Sequence, residues 1–289
     1  MIAALVREAR PKQWLKNVLV FAAPAALGDL SSSLVIRSVI VFVAFCMTAS
    51  GTYYWNDIKD VEADRQHPKK RNRPIAGGDV PLPVARVVGT VLLAGGPAVA
   101  WIARPEAGMI VGLYAILTIA YSTAWKHVPI ADLAIVASGF VLRAMAGAAG
   151  TETHMSKWFV LCTSFGSFFI VTGKRFAELN GMGVDATSTR KSLAAYTPAF
   201  LRQLLVISCT ATVFSYCLWA FENSEKSAGD IPWHGLSIVP MVLALLRYML
   251  VLEKGGGEAP EEVFTRDRSM QAYGLVWAVV YGLGVYLGK

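Results

Sequence analysis

Long runs of apolar residues alternate along the chain with short clusters of glycine, proline and charge. Read against those breaks, the pattern predicts nine helices, over residues 16–29, 34–56, 81–103, 106–125, 129–150, 156–174, 200–221, 234–253 and 270–288. All but the first have the length of about 20 residues that a helix needs to cross a hydrocarbon layer of about 30 Å. Period-two alternation is absent, and an open sheet would leave backbone groups unsatisfied in lipid. The pattern therefore implies an all-α, polytopic membrane bundle. No fixed-period repeat or low-complexity tract interrupts it, and Gly255, Gly256 and Gly257 with Pro260 mark a loop before the last span. Residues 1–289 are expected to form a single transmembrane domain.

Composition sharpens the class. Hydrophobic residues make up 55% and charged residues 16%, with a mean hydropathy of +0.47, which is too apolar for a soluble domain. Arg7, Arg10, Lys12 and Lys16 precede an apolar run that lacks a small-residue cleavage site, so the first span is expected to stay in the mature chain. Most of the 27 basic residues fall on one side if the N-terminus is cytoplasmic: those four, the run from Lys59 to Arg73, Lys126, Lys174, Arg175, Arg190, Lys191, Lys254, Arg266 and Arg268. The other side keeps Arg37, Arg104, Lys157, Lys226 and Lys289. The positive-inside rule then places a multi-pass protein in the plasma membrane, N-terminus in and C-terminus out. The net charge of +7 suits anionic lipid and implies no nucleic-acid partner. Gly139, Gly147 and Gly150 suit close helix packing, within one chain or between copies in a homo-oligomer.

Cys46, Cys162, Cys209 and Cys217 lie singly in apolar spans, and the four histidines are scattered over different loops. Zinc, disulfide and haem chemistry have no foothold in that spacing. The polar residues that stand out instead follow the second span. Asn56, Asp60 and Asp64 recur at i, i+4 and i+8, so on a helix they stay within about 80° of one another and rise about 6 Å per step. Such hard oxygen ligands suit Mg²⁺, which keeps waters and is completed by substrate phosphates. Asp57 and Glu62 add negative charge, and Arg65, Lys69, Lys70, Arg71 and Arg73 follow at once. The arrangement describes a divalent-metal and phosphate site at a membrane surface.

Three further segments carry candidate chemistry. Tyr121, Ser122 and Lys126 close the fourth span. In the fifth, Arg143 lies eleven residues past Asp132, about three turns, so both point the same way; an arginine this deep must face protein or a wet cavity, as a functional group or as a structural pair. Lys174, Arg175 and Glu178 end the sixth span, where they read either as a surface ion-pair cluster or as substrate contacts. Arg190, Lys191 and Tyr196 follow in the next loop.

Asn56-Asp57-x-x-Asp60-x-x-x-Asp64, then Arg71 and Arg73-Pro74-Ile75, then Tyr121-Ser122 with Lys126, resembles the UbiA superfamily of membrane prenyltransferases, and the resemblance extends over nearly the whole chain. It implies a nine-helix bundle with a cytoplasmic active-site cap and metal-dependent diphosphate chemistry. The opening Arg10-Pro11-Lys12-Gln13-Trp14-Leu15-Lys16-Asn17 resembles a narrower branch, the decaprenyl-phosphate phosphoribosyltransferases. That resemblance implies transfer of 5-phosphoribosyl from phosphoribosyl diphosphate to a polyprenyl phosphate, which supplies an arabinose donor for cell-wall polymers. Where aromatic prenyltransferases carry a second aspartate-rich motif, this chain has Lys174, Arg175 and Glu178. Fewer carboxylates and more cations suit a donor and an acceptor that both bring phosphate.

On this reading Asn56, Asp60 and Asp64 are the catalytic, metal-binding set. Arg71, Arg73 or Lys174 joins the metal at the departing diphosphate, Tyr121, Lys126, Arg143, Arg175 and Lys16 are candidates for holding the two phosphates, and Asp57, Arg65, Lys70, Glu178 and Tyr196 complete the expected substrate-binding set. The lipid phosphate is already anionic and needs no strong general base. Two other functions fit parts of the pattern. One is a prenyltransferase taking a polyprenyl diphosphate and an aromatic or quinone-precursor acceptor. The other is an ion-coupled transporter, although carriers place coupling carboxylates near the bilayer midplane rather than at a helix end.

Overall fold

Prolines set where several of the long helices begin. The computed structural model describes residues 1–28, 31–182, 193–227, 229–257 and 259–287, and the regular elements among them are helical. After α1 (Ile2–Glu8), a 3₁₀ segment (Pro11–Phe21), α2 (Ala22–Leu27), α3 (Ser32–Lys59) and α4 (Val61–Gln66) come α5 (Leu82–Ala103) and α6 (Pro105–Thr123). Between α5 and α6, Arg104 is forced into an extended conformation by the proline after it, so one helix stops and the next starts within two residues. The chain continues with α7 (Ala131–Thr151), α8 (Lys157–Met182), α9 (Pro198–Lys226), α10 (Trp233–Leu236), α11 (Ile238–Glu253), α12 (Pro260–Arg266) and α13 (Arg268–Leu287). Thr197 caps α9 by accepting the Phe200 N–H, ahead of Pro198 at the first helical position.

Seven of these stretches, α3, α5, α6, α7, α9, α10 with α11, and α13, are long and apolar enough to cross a membrane. The helix α8, 26 residues long, covers the sixth predicted span and runs about two turns past Lys174. The first predicted span departs from the α-helix expected over 16–29. Its 3₁₀ segment runs antiparallel to α3, pairing Arg10 with Asp57, Trp14 with Ser50, Asn17 with Cys46 and Phe21 with Phe42. With three residues per turn, Trp14, Asn17 and Val20 share one face, and Asn17 and Val20 are buried. A 3₁₀ helix rises about 2.0 Å per residue, so those eleven steps cover about 22 Å, the same distance as the fifteen α-helical steps beside them. The tighter helix is how so short a stretch keeps step with its neighbour.

The contacts group into two compact units, Met1–Ala124 with Leu142–His154, and Trp125–Val141 with Met155–Lys289. In the first, α3 packs on α5, α6 and the 3₁₀ segment around Val20, Val41, Phe45, Val111 and Tyr114. A Cβ on Gly147 would lie 1.8 Å from the Val20 carbonyl oxygen, and Gly150 meets Val41, so these two glycines serve packing within the chain. A smaller cluster, Ala4, Tyr54, Val61, Ile75, Val80 and Ala85, seats α1 and the loop after α4 against the end of α3. In the second unit, α8 packs on α9 and α11 on α13, over Leu133, Phe169, Phe176, Leu201, Tyr248 and Leu252. Val35, Ile36, Val39 and Val43 are exposed along one stripe of α3, as lipid-facing side chains are.

Candidate active site

The helical ladder runs through the motif: the Asp60 N–H bonds the Asn56 carbonyl at 2.9 Å and the Asp64 N–H bonds the Asp60 carbonyl at 2.8 Å. At Asp60 itself the backbone opens to φ −95, ψ 9, ending α3 and starting α4. The buried stripe here is Tyr54, Asp57, Val61 and Asp64. Two carboxylates thus face protein, where ionised groups persist only with partners. Arg73 Nη1 lies 2.6 Å from Asp64 Oδ2 and 3.1 Å from Asp57 Oδ1, Arg10 Nη2 donates to Asp57 at 2.7 Å, and Lys70 Nζ stands 4.0 Å from Asp64. The expected row of Asn56, Asp60 and Asp64 is thus accompanied by a second, arginine-bridged pair, Asp57 with Asp64. Asn56 and Asp60 stay half-buried.

The loop delivers Arg73 by local rules. His67 Nδ1 accepts the N–H groups of Lys69 and Lys70, a 3₁₀ turn (Lys70–Asn72) follows, and Arg73 is extended because Pro74 comes next. Ile75, 1% exposed, anchors the far side, and Arg65 reaches the Ala76 carbonyl and Glu62. Lys70 and Arg71 are exposed. Sequence reasoning missed Glu8, which ends α1 at 1% exposure. Burial, and then the Asp57 carboxyl beside it, push Glu8 up to about 8. A retained proton lets the two carboxyls sit together. The only sequence signal was an acidic residue closing an apolar helix just before Arg10.

Elsewhere in this unit Lys16 donates to Gln13 at 2.6 Å and Lys59 to the Ser122 carbonyl at 3.1 Å. Tyr121 is half-buried at the end of α6. A cleft of about 330 Å³, almost wholly apolar, is lined by Thr52, Trp55, Asn56, Leu93, Ile119 and Ser122. Arg143 is buried, donating to Asn17 at 2.7 Å and Tyr114 at 3.0 Å, with its guanidinium over the Tyr114 and Phe45 rings. Asp132, about three turns earlier on α7, is bonded within the second unit.

There, Asp132 is fully buried and accepts the Tyr196 hydroxyl at 2.5 Å and Arg175 Nε at 3.3 Å. Arg175 also donates to Glu178 at 2.8 Å, and Lys174 Nζ is 3.9 Å from the same carboxylate. The Tyr196 oxygen accepts the Ile130 N–H at 2.6 Å. Burial and the Asp132 carboxylate raise the Tyr196 hydroxyl well above its ordinary pKa. Arg175, Glu178 and Tyr196 are therefore knitted into one buried network, while Lys174 is 42% exposed and Lys126 half-buried. Arg190 and Lys191 lie outside the described residues.

Among the described residues no three His, Cys, Asp or Glu side chains form a metal cluster, and the four cysteines are free. The donors at the motif are an amide and carboxylates, hard oxygens of the kind Mg²⁺ takes. Chemically the set fits a divalent cation that leaves several positions to water or phosphate, provided Arg73 gives up Asp64.

Residues 17–273 match the UbiA prenyltransferase family. The chain is 41% identical to a decaprenyl-phosphate phosphoribosyltransferase of Corynebacterium glutamicum, over 98% of this chain and 87% of that one. It is 40% identical to the protein of the same name from Mycobacterium tuberculosis, over 100% and 96%. Its fold is similar to that of a UbiA homologue from Archaeoglobus fulgidus bound to GPP and Mg²⁺, with a TM-score of 0.72 at 15% identity over 98% of this chain and 99% of that one. With a family match over most of its length and near full-length relatives at this level of identity, this chain belongs to the UbiA prenyltransferase family.

Proposed function

We propose that the chain transfers the 5-phosphoribosyl group of 5-phosphoribosyl 1-diphosphate to decaprenyl phosphate or a similar polyprenyl phosphate, releasing diphosphate, as a step toward an arabinan precursor. The observation that carries the reading is the arginine-closed carboxylate cluster at the α3–α4 junction, in a chain whose near full-length relatives bear that activity in their names. Residues 1–289 act in it as one domain. The protein sits in the plasma membrane with its N-terminus and this cluster on the cytoplasmic side.

Mg²⁺ is the proposed ion; bound to Asn56, Asp60 and Asp64 it would neutralise the diphosphate and ease its departure from the anomeric carbon. The chain's own part is to gather charge. Arg73, Arg71 and Lys70 come from one loop beside the carboxylates and supply fork and point donors for phosphate oxygens. The apolar cleft beside Asn56 is the proposed berth for the first isoprene units. Lys16, Tyr121, Lys126 and Lys174 are proposed as further phosphate contacts, whereas Arg143, Arg175 and Tyr196 act through the networks that fix their neighbours. The lipid phosphate attacks as an anion, so no base is required.

The test is mass spectrometry of lipid extracted after the purified protein is given phosphoribosyl diphosphate, decaprenyl phosphate and Mg²⁺. A phosphoribosylated lipid is expected from the wild type and none from folded Asp60→Ala. Product formed only from a polyprenyl diphosphate and an aromatic acceptor would replace this reading with the other prenyltransferase chemistry.

A further inference from the structure

Arg73 occupies the motif in a way that bears on how a metal enters it. Asp64 and Asp57 are 2% and 4% exposed, and a carboxylate so buried cannot stand without a cation. The cation present is largely Arg73, whose single Nη1 bridges both, at 2.6 and 3.1 Å. Asp57 has a second arginine, Arg10, whereas among the described residues Asp64 has otherwise only Lys70 at 4.0 Å. Asp64 therefore depends on Arg73, and Asp57 does not.

A divalent cation that takes Asp64 Oδ2 competes with the Arg73 guanidinium for that same oxygen. If a divalent cation takes Asp64, the charge Arg73 brought there becomes surplus, and the guanidinium is released beside the metal. Arg73 is able to move. Its side chain is 30% exposed, and its backbone is fixed from the far side by Gly77 N–H on its carbonyl at 2.8 Å, so the head can swing while the stem stays anchored. A freed guanidinium one side chain away from a metal-bound diphosphate has a planar fork to offer it.

We infer that Arg73 is an exchange residue: it holds Asp64 in the metal's place and transfers to the diphosphate when the metal arrives, so that metal and diphosphate bind cooperatively through it. This rests on the metal reading proposed above and adds the order in which the site assembles. By linkage, each ligand then tightens the other by the same factor.

Mn²⁺ serves as the probe, counted by electron paramagnetic resonance on the purified protein in detergent without any substrate. Arg73→Gln is expected to bind Mn²⁺ about tenfold more tightly than wild type, since about one charge-assisted hydrogen bond no longer has to be broken. At saturating Mn²⁺ the same variant should bind radiolabelled pyrophosphate about tenfold more weakly by equilibrium dialysis. Arg73→Lys, which keeps the charge and loses the fork, should fall between, and guards against an unfolded Gln variant. Asp64→Asn should lose the Mn²⁺ site. If Asp64→Asn loses it but Arg73→Gln binds Mn²⁺ no better than wild type, the exchange is overturned and the metal reading stands. If Mn²⁺ binding is the same in all of them, the metal assignment falls and the exchange with it.

Discussion

Arg10 adopts φ 53 and Ile130 φ 68, a region that residues with a Cβ avoid at a cost of order 1–3 kcal/mol. Each outlier serves a polar cluster. Arg10 in that conformation reaches Asp57 and stacks its guanidinium 4.9 Å from the Tyr53 ring, and Ile130 turns its N–H to the Tyr196 oxygen that Asp132 orients. Glu8 offers a residue-scale test. Its folded pKa, about 8, lies above the ordinary carboxylate value because burial and then Asp57 disfavour its charge. The stabilisation this proton provides is complete below the unfolded pKa and is lost progressively as pH rises through the interval up to about 8. Glu8→Gln, which mimics the protonated form, should match wild type in thermal unfolding at about pH 4 and be more stable at about pH 8. An equal pH dependence in both proteins would show that Glu8 is ionised beside Asp57. None of this was legible from the motif, because Arg10 and Asp57 are 47 residues apart in sequence and only the fold brings them together. The spacing of Asn56, Asp60 and Asp64 was legible, since helical periodicity is local.

At the scale of elements, hydropathy located the long helices well because lipid imposes one requirement on every window of about 20 residues. It misjudged the first span for a physical reason: a window counts apolar residues and assumes 1.5 Å of rise for each, whereas Pro11–Phe21 rises as a 3₁₀ helix held by side-chain bonds to α3. The face that segment presents is equally demanding. Gly147 of α7 lies so close to the Val20 backbone that a methyl group would overlap the carbonyl oxygen, and the neighbouring atoms are backbone that cannot rotate away. Gly147→Ala is therefore expected to lower stability by about 1–3 kcal/mol, read as a drop in unfolding temperature in detergent. Gly112→Ala on α6, with nothing within 4 Å of the added methyl, is the matched control and should leave that temperature unchanged or raise it slightly. Equal effects at the two positions would mean that the 3₁₀ segment is not packed on α7.

For the whole molecule, the distribution of charge and the number of crossings constrain each other. The N-terminal 3₁₀ segment follows α3 antiparallel from Asp57 to Phe42. On the proposed topology of nine passes the two termini lie on opposite sides of the membrane. Parity alone leaves two orientations, and basic residues choose between them. On that proposed topology the loop holding Lys69, Lys70, Arg71 and Arg73 and the loop holding Lys254, Arg266 and Arg268 share the side of Arg7 and Arg10. An excess of this size on short loops is what retains a segment on the cytoplasmic face. In a background with Cys46, Cys162, Cys209 and Cys217 replaced by serine, Asn72→Cys and Asp230→Cys place single thiols in exposed loops of opposite parity. With sealed right-side-out vesicles, a membrane-impermeant maleimide should label the second variant at once and the first only after detergent. The reverse pattern would put the arginine-closed carboxylates on the outer face, where phosphoribosyl diphosphate made in the cytoplasm cannot reach them, and the proposed reaction would fail on access before any question of chemistry arose.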